Sequence, residues 1–148
     1  MDKNLLLLHC DDMLVARIVE LKQTIQGLRA SSNNDTKSSM GDKYETSREM
    51  MQQDINRLDQ QLAENNHMLF NLRAIKFKAE NKSVSLGNVV STSLGKFFIA
   101  VSLGEIQFID QKIIVISIAS PLGKQLNGKN AGDTFNLNGS EERVLELF

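Results

Sequence analysis

The chain has 148 residues, enough for one domain or two small ones, and its 41% hydrophobic and 24% charged residues are typical of a globular protein. This composition excludes a disordered chain and a membrane-spanning one. The formal net charge is −1, but residues 1–72 carry 8 basic and 11 acidic side chains, whereas residues 73–148 carry 9 and 7. An acidic N-terminal half argues against that half wrapping free nucleic acid, because phosphate binding needs concentrated Lys and Arg.

A single cysteine, Cys10, excludes a disulfide framework and a cysteine-rich metal site, and a reducing compartment is its simplest setting. The leucine run at residues 5–8 is too short for the apolar core of a secretory signal, and His9 is not a small residue of the kind found at a cleavage site. No other apolar run approaches the length of a membrane span, about 20 residues. We therefore expect a cytoplasmic protein with no membrane partner.

Apolar residues recur at coiled-coil spacing in two segments, separated by a polar break near Thr36. Steps of three, four or seven residues connect Leu7, Leu14, Ile18, Leu21, Ile25 and Leu28 in the first segment and Met51, Ile55, Leu58, Leu62, Leu69 and Leu72 in the second. This spacing predicts two long helices. The first helix should begin at residue 11 or 12 and end near residue 30, before four Ser and Asn residues, and the second should start at residue 35, 38 or 39.

The two segments can be paired as mirror images about residue 36. This pairing places Leu14 opposite Leu58 and Leu21 opposite Met51, so it predicts an antiparallel helical hairpin with its apex at residues 35–37. Such a hairpin is too thin to bury a core alone, so we expect it to belong to a larger body. Residues 1–8 are apolar on too many sides for a free helix end, and we expect them to pack against the second domain.

The periodicity changes after Leu72. A basic join with four cationic residues comes first, and β-branched and aromatic residues then predict strands near residues 83–90, 96–103, 105–108, 112–118, 134–137 and 143–147. A short helix precedes the last two strands, with Ser120 as its N-cap, Pro121 at its first position and Gly128 as its stop. The dipeptide at residues 138–139, Asn-Gly, predicts a tight hairpin with positive φ at both residues.

The predicted fold class is therefore α+β. A coiled-coil helical hairpin at residues 1–75 precedes a domain at residues 76–148, which consists of an antiparallel β-sheet and one short helix.

Two blocks of sequence carry a family resemblance. Residues 112–133, KIIVISIASPLGKQLNGKNAGD, contain a strand leading into Ser-Pro, a short helix, Gly-Lys, a short gap and Gly-Asp before a closing hairpin. Residues 44–49, YETSRE, have the pattern Tyr-x-x-x-Arg-Glu at the start of the second helix. These blocks resemble the bacterial Gre (GreA/GreB) family of transcript-cleavage factors. The similarity extends over nearly the whole chain in matching order, from the helical hairpin to an FKBP-like domain.

The resemblance implies a monomeric transcription elongation factor that binds core RNA polymerase. The FKBP-like domain would sit on the rim of the secondary channel, with Ser120, Pro121 and Lys124 as contact residues, and the hairpin would reach the active centre. Acidic tip residues in the family help to hold a second Mg²⁺ and a water, so that the polymerase itself hydrolyses backtracked RNA. The chain would then be an accessory factor, not an enzyme. It would have no stably bound metal or cofactor, would share Mg²⁺ with the polymerase and would contact nascent RNA indirectly.

The predicted tip departs from the family pattern. Counting back from Tyr44, the two family acids fall at Lys37 and Met40, which cannot coordinate Mg²⁺. Because Mg²⁺ commonly takes only one or two carboxylates from protein, Asp35 and Asp42 could instead form a shifted pair. Alternatively, Asp35 caps a helix and Asp42 complements its dipole. The protein would then occupy the channel without promoting cleavage and would compete with active members of the family.

Two other functional classes remain open. An FKBP-like domain could serve a chaperone or prolyl isomerase, although this one has no Trp and no evident aromatic-lined pocket. A coiled-coil adaptor would bind through the outer face of the hairpin. The adjacent His9 and Cys10 are better explained by packing than by nucleophilic catalysis, since neighbours on a helix point in different directions.

Overall fold

The computed structural model describes residues 1–35, 41–79 and 82–148, and its description of side chains also leaves out residues 34, 35 and 41–44. Two long helices, α1 (Lys3–Asp35) and α2 (Gly41–Arg73), come first. They are followed by β1 (Val89–Thr92), β2 (Gly95–Ala100), β3 (Gly104–Phe108), β4 (Gln111–Ser117), α3 (Pro121–Leu126), β5 (Thr134–Leu137) and β6 (Ser140–Leu147). The fold class is α+β, as predicted.

Helix α1 is longer than predicted at both ends. Its N-terminus is capped by Asp2, whose Oδ1 accepts hydrogen bonds from the backbone N–H groups of Asn4 at 2.9 Å and Leu5 at 3.1 Å. The expected start at residue 11 or 12 was therefore wrong. The expected end near residue 30 was also wrong, because Ser and Asn cost a helix only a fraction of a kcal/mol each, up to about 0.7.

The chain divides into two compact units, which we call the sheet unit and the helical unit. The sheet unit contains residues 1–11 and 70–148, and the helical unit contains residues 12–69. Within the sheet unit Leu6 and Cys10 are fully buried, and the rings of His9 and Phe108 lie 5.6 Å apart. The N-terminal residues therefore pack with the β-sheet residues, which confirms that expectation.

In the helical unit, α1 and α2 lie side by side in antiparallel directions. Arg29 Nη2 lies 3.1 Å from Asp59 Oδ2, and Arg17 and Met68 line one groove between the helices. The position midway between Arg29 and Asp59 is residue 44, and the position midway between Arg17 and Met68 lies between residues 42 and 43. The helices are therefore paired about residues 42–44.

The predicted pairing of the two helices about residue 36 was wrong. Leu58 lines the groove with Leu21 and Thr24, so it does not lie opposite Leu14. The physical reason is that a seven-residue repeat keeps apolar residues in contact when one helix slides by whole heptads. Of the predicted apex at residues 35–37, residue 35 is the last residue of α1, and residues 36 and 37 lie outside the described residues, so the position of the apex stays a prediction.

The six strands form a sheet in the order β3-β4-β2-β1-β6-β5. The pair β2 and β4 is parallel, with Phe98 beside Val115, while the other neighbours are antiparallel. The prediction of a wholly antiparallel sheet was therefore wrong for this pair. After β2 the chain crosses to the edge of the sheet as β3, turns back as β4, and β4 then lies between β3 and β2 and runs parallel to β2. The predicted hairpin turn between β5 and β6 is confirmed, with φ of 50° at Asn138 and 84° at Gly139.

The core of the sheet unit lies between the sheet and α3. Its buried side chains come from strands β1, β2, β5 and β6, from α3 and from the segment before β1: Val84, Val90, Phe97, Ile99, Leu126, Phe135 and Val144. This packing fixes the position of α3, which carries the predicted contact residues.

Candidate functional site

The Ser-Pro junction between β4 and α3 is built by local hydrogen bonds. Ser120 Oγ accepts a hydrogen bond from the N–H of Gly123 at 3.0 Å and donates one to the carbonyl of Ser117 at 2.6 Å. Ser120 is therefore the N-cap, and Pro121 occupies the first turn, both as predicted. Because the Ser120 hydroxyl is used internally, this residue positions the exposed Pro121 ring.

Gly123 lies where α3 crosses the end of β4. It is buried, and a Cβ at this position would overlap the Ser117 carbonyl oxygen and lie 2.9 Å from the Ile118 backbone. A side chain therefore cannot be accommodated without moving α3. This role was not predicted, since a glycine inside a short helix gives no signal of close backbone approach.

The solvent side of α3 carries one apolar ring and two polar side chains. Pro121, Lys124 and Gln125 are exposed, and Gln125 Oε1 accepts a hydrogen bond from the N–H of Asn136 at 3.0 Å. This bond attaches α3 to the edge strand β5 and occupies one of the outward-facing N–H groups of β5. The structure thus brings Ser120, Pro121 and Lys124 together on one short element, where they can present a rigid apolar ring and a cation to a partner.

The predicted tip residues fall at the boundary of the described structure. Lys37 and Met40 lie outside the described residues. Asp35 is the last residue of α1, and Asp42 and Tyr44 belong to the first turns of α2, but their side chains also lie outside the description. The shifted carboxylate pair and the capping alternative therefore stay predictions.

The described part of α2 nearest the tip is exposed on all sides. Glu45, Arg48, Glu49 and Gln52 line a shallow surface groove on one helix face, and Met50 is 63% exposed. Pairing of the helices about residues 42–44 places the end of α1 beside residues near Met51, so these first turns of α2 have no opposing residues in α1. Within the described ranges, no group of three or more His, Cys, Asp and Glu side chains is arranged to hold a metal ion.

A polar residue that the sequence analysis overlooked lies in the helical seam. Asn65 occupies the seam position between Leu62 and Leu69, and it lines the groove with Leu21. Its Nδ2 donates to the carbonyl of Gln61 at 2.7 Å, while its buried Oδ1 has no hydrogen-bond partner among the described residues. The gap in the apolar pattern at residue 65 was the available signal.

One bidentate ion pair connects the two long helices within the sheet unit. Arg73 Nε lies 2.6 Å from Asp11 Oδ2, and Arg73 Nη2 lies 2.9 Å from Asp11 Oδ1. These hydrogen bonds, aided by the guanidinium charge, hold the pKa of the Asp11 carboxyl below its usual value, although desolvation opposes the shift. Asp11 thus belongs to a link between helices and not to the first turn of a helix.

His9 and Cys10 do not form a nucleophilic pair. Burial raises the pKa of the Cys10 thiol to about 11, so the reactive thiolate is scarce at neutral pH. The His9 ring packs on Phe108. Both residues therefore have the packing role that the sequence analysis favoured.

Comparison with known proteins gives a structural likeness but no match in sequence. No protein-family model matches the chain, and no curated protein matches it. Among solved structures, the structure of the transcription factor Gfh1 is similar over 93% of this chain and 92% of that chain, with 19% sequence identity and a TM-score of 0.39. No helix among the described residues is long and apolar enough to cross a membrane.

Proposed function

We propose that the protein is a Gre-like transcription factor that binds bacterial RNA polymerase at its secondary channel. The observation that carries this proposal is the structural context of residues 112–133. β4 leads into Ser120-Pro121, α3 follows, and the Gly-Lys and Gly-Asp dipeptides precede the hairpin of β5 and β6. A sequence motif gains weight when its residues lie on the elements that the motif requires, and this block does so along its whole length.

The two long helices support the same proposal. Each has 33 residues, which corresponds to about 50 Å at a rise of about 1.5 Å per residue. In the proposed role, residues 12–69 of these helices are the part that enters the channel. In this role α3 docks on the polymerase, where the Pro121 ring and the Lys124 cation contact the rim.

The residues at the tip favour a second mode of action within this proposal. Lys37 and Met40 stand where the family resemblance places carboxylates, and neither side chain can hold Mg²⁺. A factor with this tip occupies the channel and competes with cleavage-promoting members of the family. If Asp35 and Asp42 supply the carboxylates instead, the factor promotes cleavage by the polymerase.

Binding to core RNA polymerase tests the docking role of α3. We expect the full-length protein to bind, Lys124→Glu to weaken binding by about tenfold or more, and Lys76→Glu to leave it unchanged, since Lys76 is an exposed lysine of the same unit. A wild-type protein that fails to bind, or a Lys124→Glu variant that binds as well as wild type, would overturn the proposal. A protein that does not bind the polymerase but accelerates cis–trans isomerisation of a proline peptide would belong to the isomerase class.

Cleavage in a backtracked elongation complex distinguishes the two modes. The assay compares the wild-type protein with Asp35→Ala and Asp42→Ala at concentrations that saturate the polymerase. Cleavage that is stimulated by the wild type and lost in either variant assigns the metal-holding role to these carboxylates. Saturated binding without cleavage assigns the protein to the channel-occupying mode.

A further inference from the structure

The middle of the helical unit is incompletely buried. In α2, Ile55 is 3% exposed, but none of the side chains from residue 56 to residue 69 is fully buried. In α1, Ile18 and Ile25 are buried, whereas Leu21 between them is only half-buried. A groove of about 420 Å³ lies between the helices at this level. The seam holds the helices together less tightly here, because burial of apolar side chains is the main source of stability for paired helices.

Asn65 places a polar group in this stretch of the seam, between Leu62 and Leu69. Its Oδ1 is buried and accepts no hydrogen bond from any described residue, although Arg17 lines the same groove. A buried acceptor without a donor is unfavourable, whereas water satisfies it as soon as the helices separate. Compared with an apolar residue at the same position, Asn65 therefore favours separation of the two helices.

Both helices carry a side chain that bonds to its own backbone at this level. Thr24 Oγ1 donates to the carbonyl of Glu20 at 3.0 Å, and Asn65 Nδ2 donates to the carbonyl of Gln61 at 2.7 Å. Each carbonyl lies four residues earlier, so it is also the acceptor of the regular helical hydrogen bond. Side chains that share this acceptor slightly destabilise a helix and often bend it. Thr24 and Asn65 line the same groove, so the two helices are weakened side by side.

Gly27 lies one turn after Thr24 and weakens α1 further. Glycine is the least favourable residue in a helix interior after proline. Close approach of another element explains a glycine such as Gly123, but nothing lies within 4 Å of a Cβ built at Gly27. Packing therefore does not require this glycine. Thr24, Gly27 and Asn65 each lower the stability of the paired helices in the same part of the helical unit.

We propose that residues 20–28 of α1 and 58–69 of α2 form a hinge, where the two helices separate locally and reversibly while the rest of the helical unit stays paired. Departures from local stability rules are expected mainly at functional positions, and segments that move are drawn from the least stable parts of a fold. The hinge allows the part of the hairpin beyond it to change direction. Its opening is a property of the free protein and does not depend on the proposed binding to polymerase.

Amide hydrogen exchange of the full chain, measured by mass spectrometry of peptic peptides, tests this proposal. In the wild type, the exchange rate of residues 58–69 should depend little on urea, because a local opening exposes much less surface than global unfolding does. Asn65→Leu removes the unpaired acceptor and adds an apolar residue to the seam. It should slow exchange in both strands of the hinge, residues 20–28 and 58–69, by at least about tenfold, a difference of about 1.4 kcal/mol.

Asn66→Leu is the matched control, since it makes the same substitution at the next residue, which is exposed. Its exchange rates should stay within about threefold of the wild type, the effect expected from the higher helix propensity of leucine alone. A second variant, Gly27→Ala, lies on the other helix. It should slow exchange in residues 58–69 as well as in residues 20–28, because the two helices of the hinge open together.

Three results would overturn the hinge. The first is an Asn65→Leu variant that exchanges as fast as the wild type or no more slowly than Asn66→Leu. The second is a Gly27→Ala variant in which only residues 20–28 exchange more slowly. The third is exchange in residues 58–69 that depends on urea as steeply as the slowest amides of the helical unit do, because the helices would then separate only when the whole unit unfolds. All of these measurements use the free protein, so they are separate from the test of polymerase binding.

Discussion

Gly123 is the residue on which the position of α3 depends most directly. Its Cα lies so close to the end of β4 that a Cβ would overlap the Ser117 carbonyl oxygen. Overpacking against backbone atoms costs about 1–3 kcal/mol or more. We therefore expect Gly123→Ala to lower the free energy of unfolding by about 3 kcal/mol, measured by urea denaturation, and to weaken any binding that depends on α3.

The matched control is Gly27→Ala in the middle of α1. Nothing lies within 4 Å of a Cβ built at Gly27, and alanine favours helix over glycine by about 0.5–1 kcal/mol. Gly27→Ala should therefore raise the free energy of unfolding. Equal effects of the two substitutions would contradict the close approach of α3 and β4.

Residue roles were predictable where they depend on neighbours in sequence. Ser120, Pro121 and the Asn138-Gly139 turn were recognised because caps and tight turns are specified by local residue types. Gly123 and Asn65 were missed, since their roles depend on contacts with other elements. Asp2 was missed for a different reason: the helix it caps was expected to start about nine residues later.

At the scale of the element, the ion pair between Asp11 and Arg73 makes the association of α1 and α2 sensitive to pH. The hydrogen bonds from Arg73 lower the pKa of Asp11 in the folded state, while an unfolded Asp titrates near about 3.9. The stabilisation is therefore complete above this unfolded value and is lost as the pH falls through the lower, folded value. We expect the free energy of unfolding of the wild type to fall in this acidic pH range. Circular dichroism measures the unfolding.

Asp11→Asn removes the titrating group, so the free energy of unfolding should depend less on pH in this range. The control is Asp54→Asn, because Asp54 and Arg57 form an exposed pair at 3.5 Å within one helix, and such pairs contribute little. Asp54→Asn should keep the slope of the wild type. A profile that stays steep in Asp11→Asn would assign the acid sensitivity to other carboxylates.

The register of the two helices allows a direct test by disulfide formation. In a Cys10→Ala background, Leu21→Cys with Asn65→Cys should cross-link under mild oxidation, because both residues line one groove. Leu21→Cys with Met51→Cys corresponds to the pairing about residue 36 and should not cross-link, since disulfides need Cα atoms within about 7 Å. Electrophoresis without reductant after denaturation separates the two results, and the reverse pattern would show that the helices pair about residue 36.

Elements were predicted more reliably than their pairing. Periodicity specifies that α1 and α2 form a seam, but a heptad pattern fits several registers equally well. In the observed register, a residue of α1 faces a residue of α2 that lies about two heptads further along the chain than predicted. Contacts such as Arg29 with Asp59 and Asp11 with Arg73 select among these registers. The parallel pairing of β2 and β4 was missed for the same reason, because strand order depends on contacts distant in sequence.

For the whole molecule, the candidate site has a part that local sequence explains and a part that it does not. The elements around Ser120 and Pro121 follow from capping and turn chemistry, so this edge was predictable as a structure. The partner proposed for it was inferred only from the family resemblance of residues 112–133 and 44–49.

In the proposed function, the tip determines what the whole molecule does once it is bound to the polymerase. If absent carboxylates at positions 37 and 40 are the reason for a non-cleaving mode, restoring them should change the function while leaving docking intact. We expect Lys37→Asp with Met40→Glu to bind core polymerase as tightly as the wild type and to stimulate cleavage of backtracked RNA by at least about tenfold, since an added Mg²⁺ ligand set contributes several kcal/mol to charge stabilisation.

The matched control carries the same change in charge away from the tip. Lys22→Asp with Gln26→Glu places two acids on an exposed face of α1, and this variant should not stimulate cleavage. Cleavage is measured over a Mg²⁺ titration, because a recruited ion should lower the Mg²⁺ concentration needed for half-maximal rate. A restored tip that binds without stimulating cleavage would mean that these two positions do not reach the polymerase metals, and the channel-occupying mode would then have to follow from the position of the tip and not from its missing carboxylates.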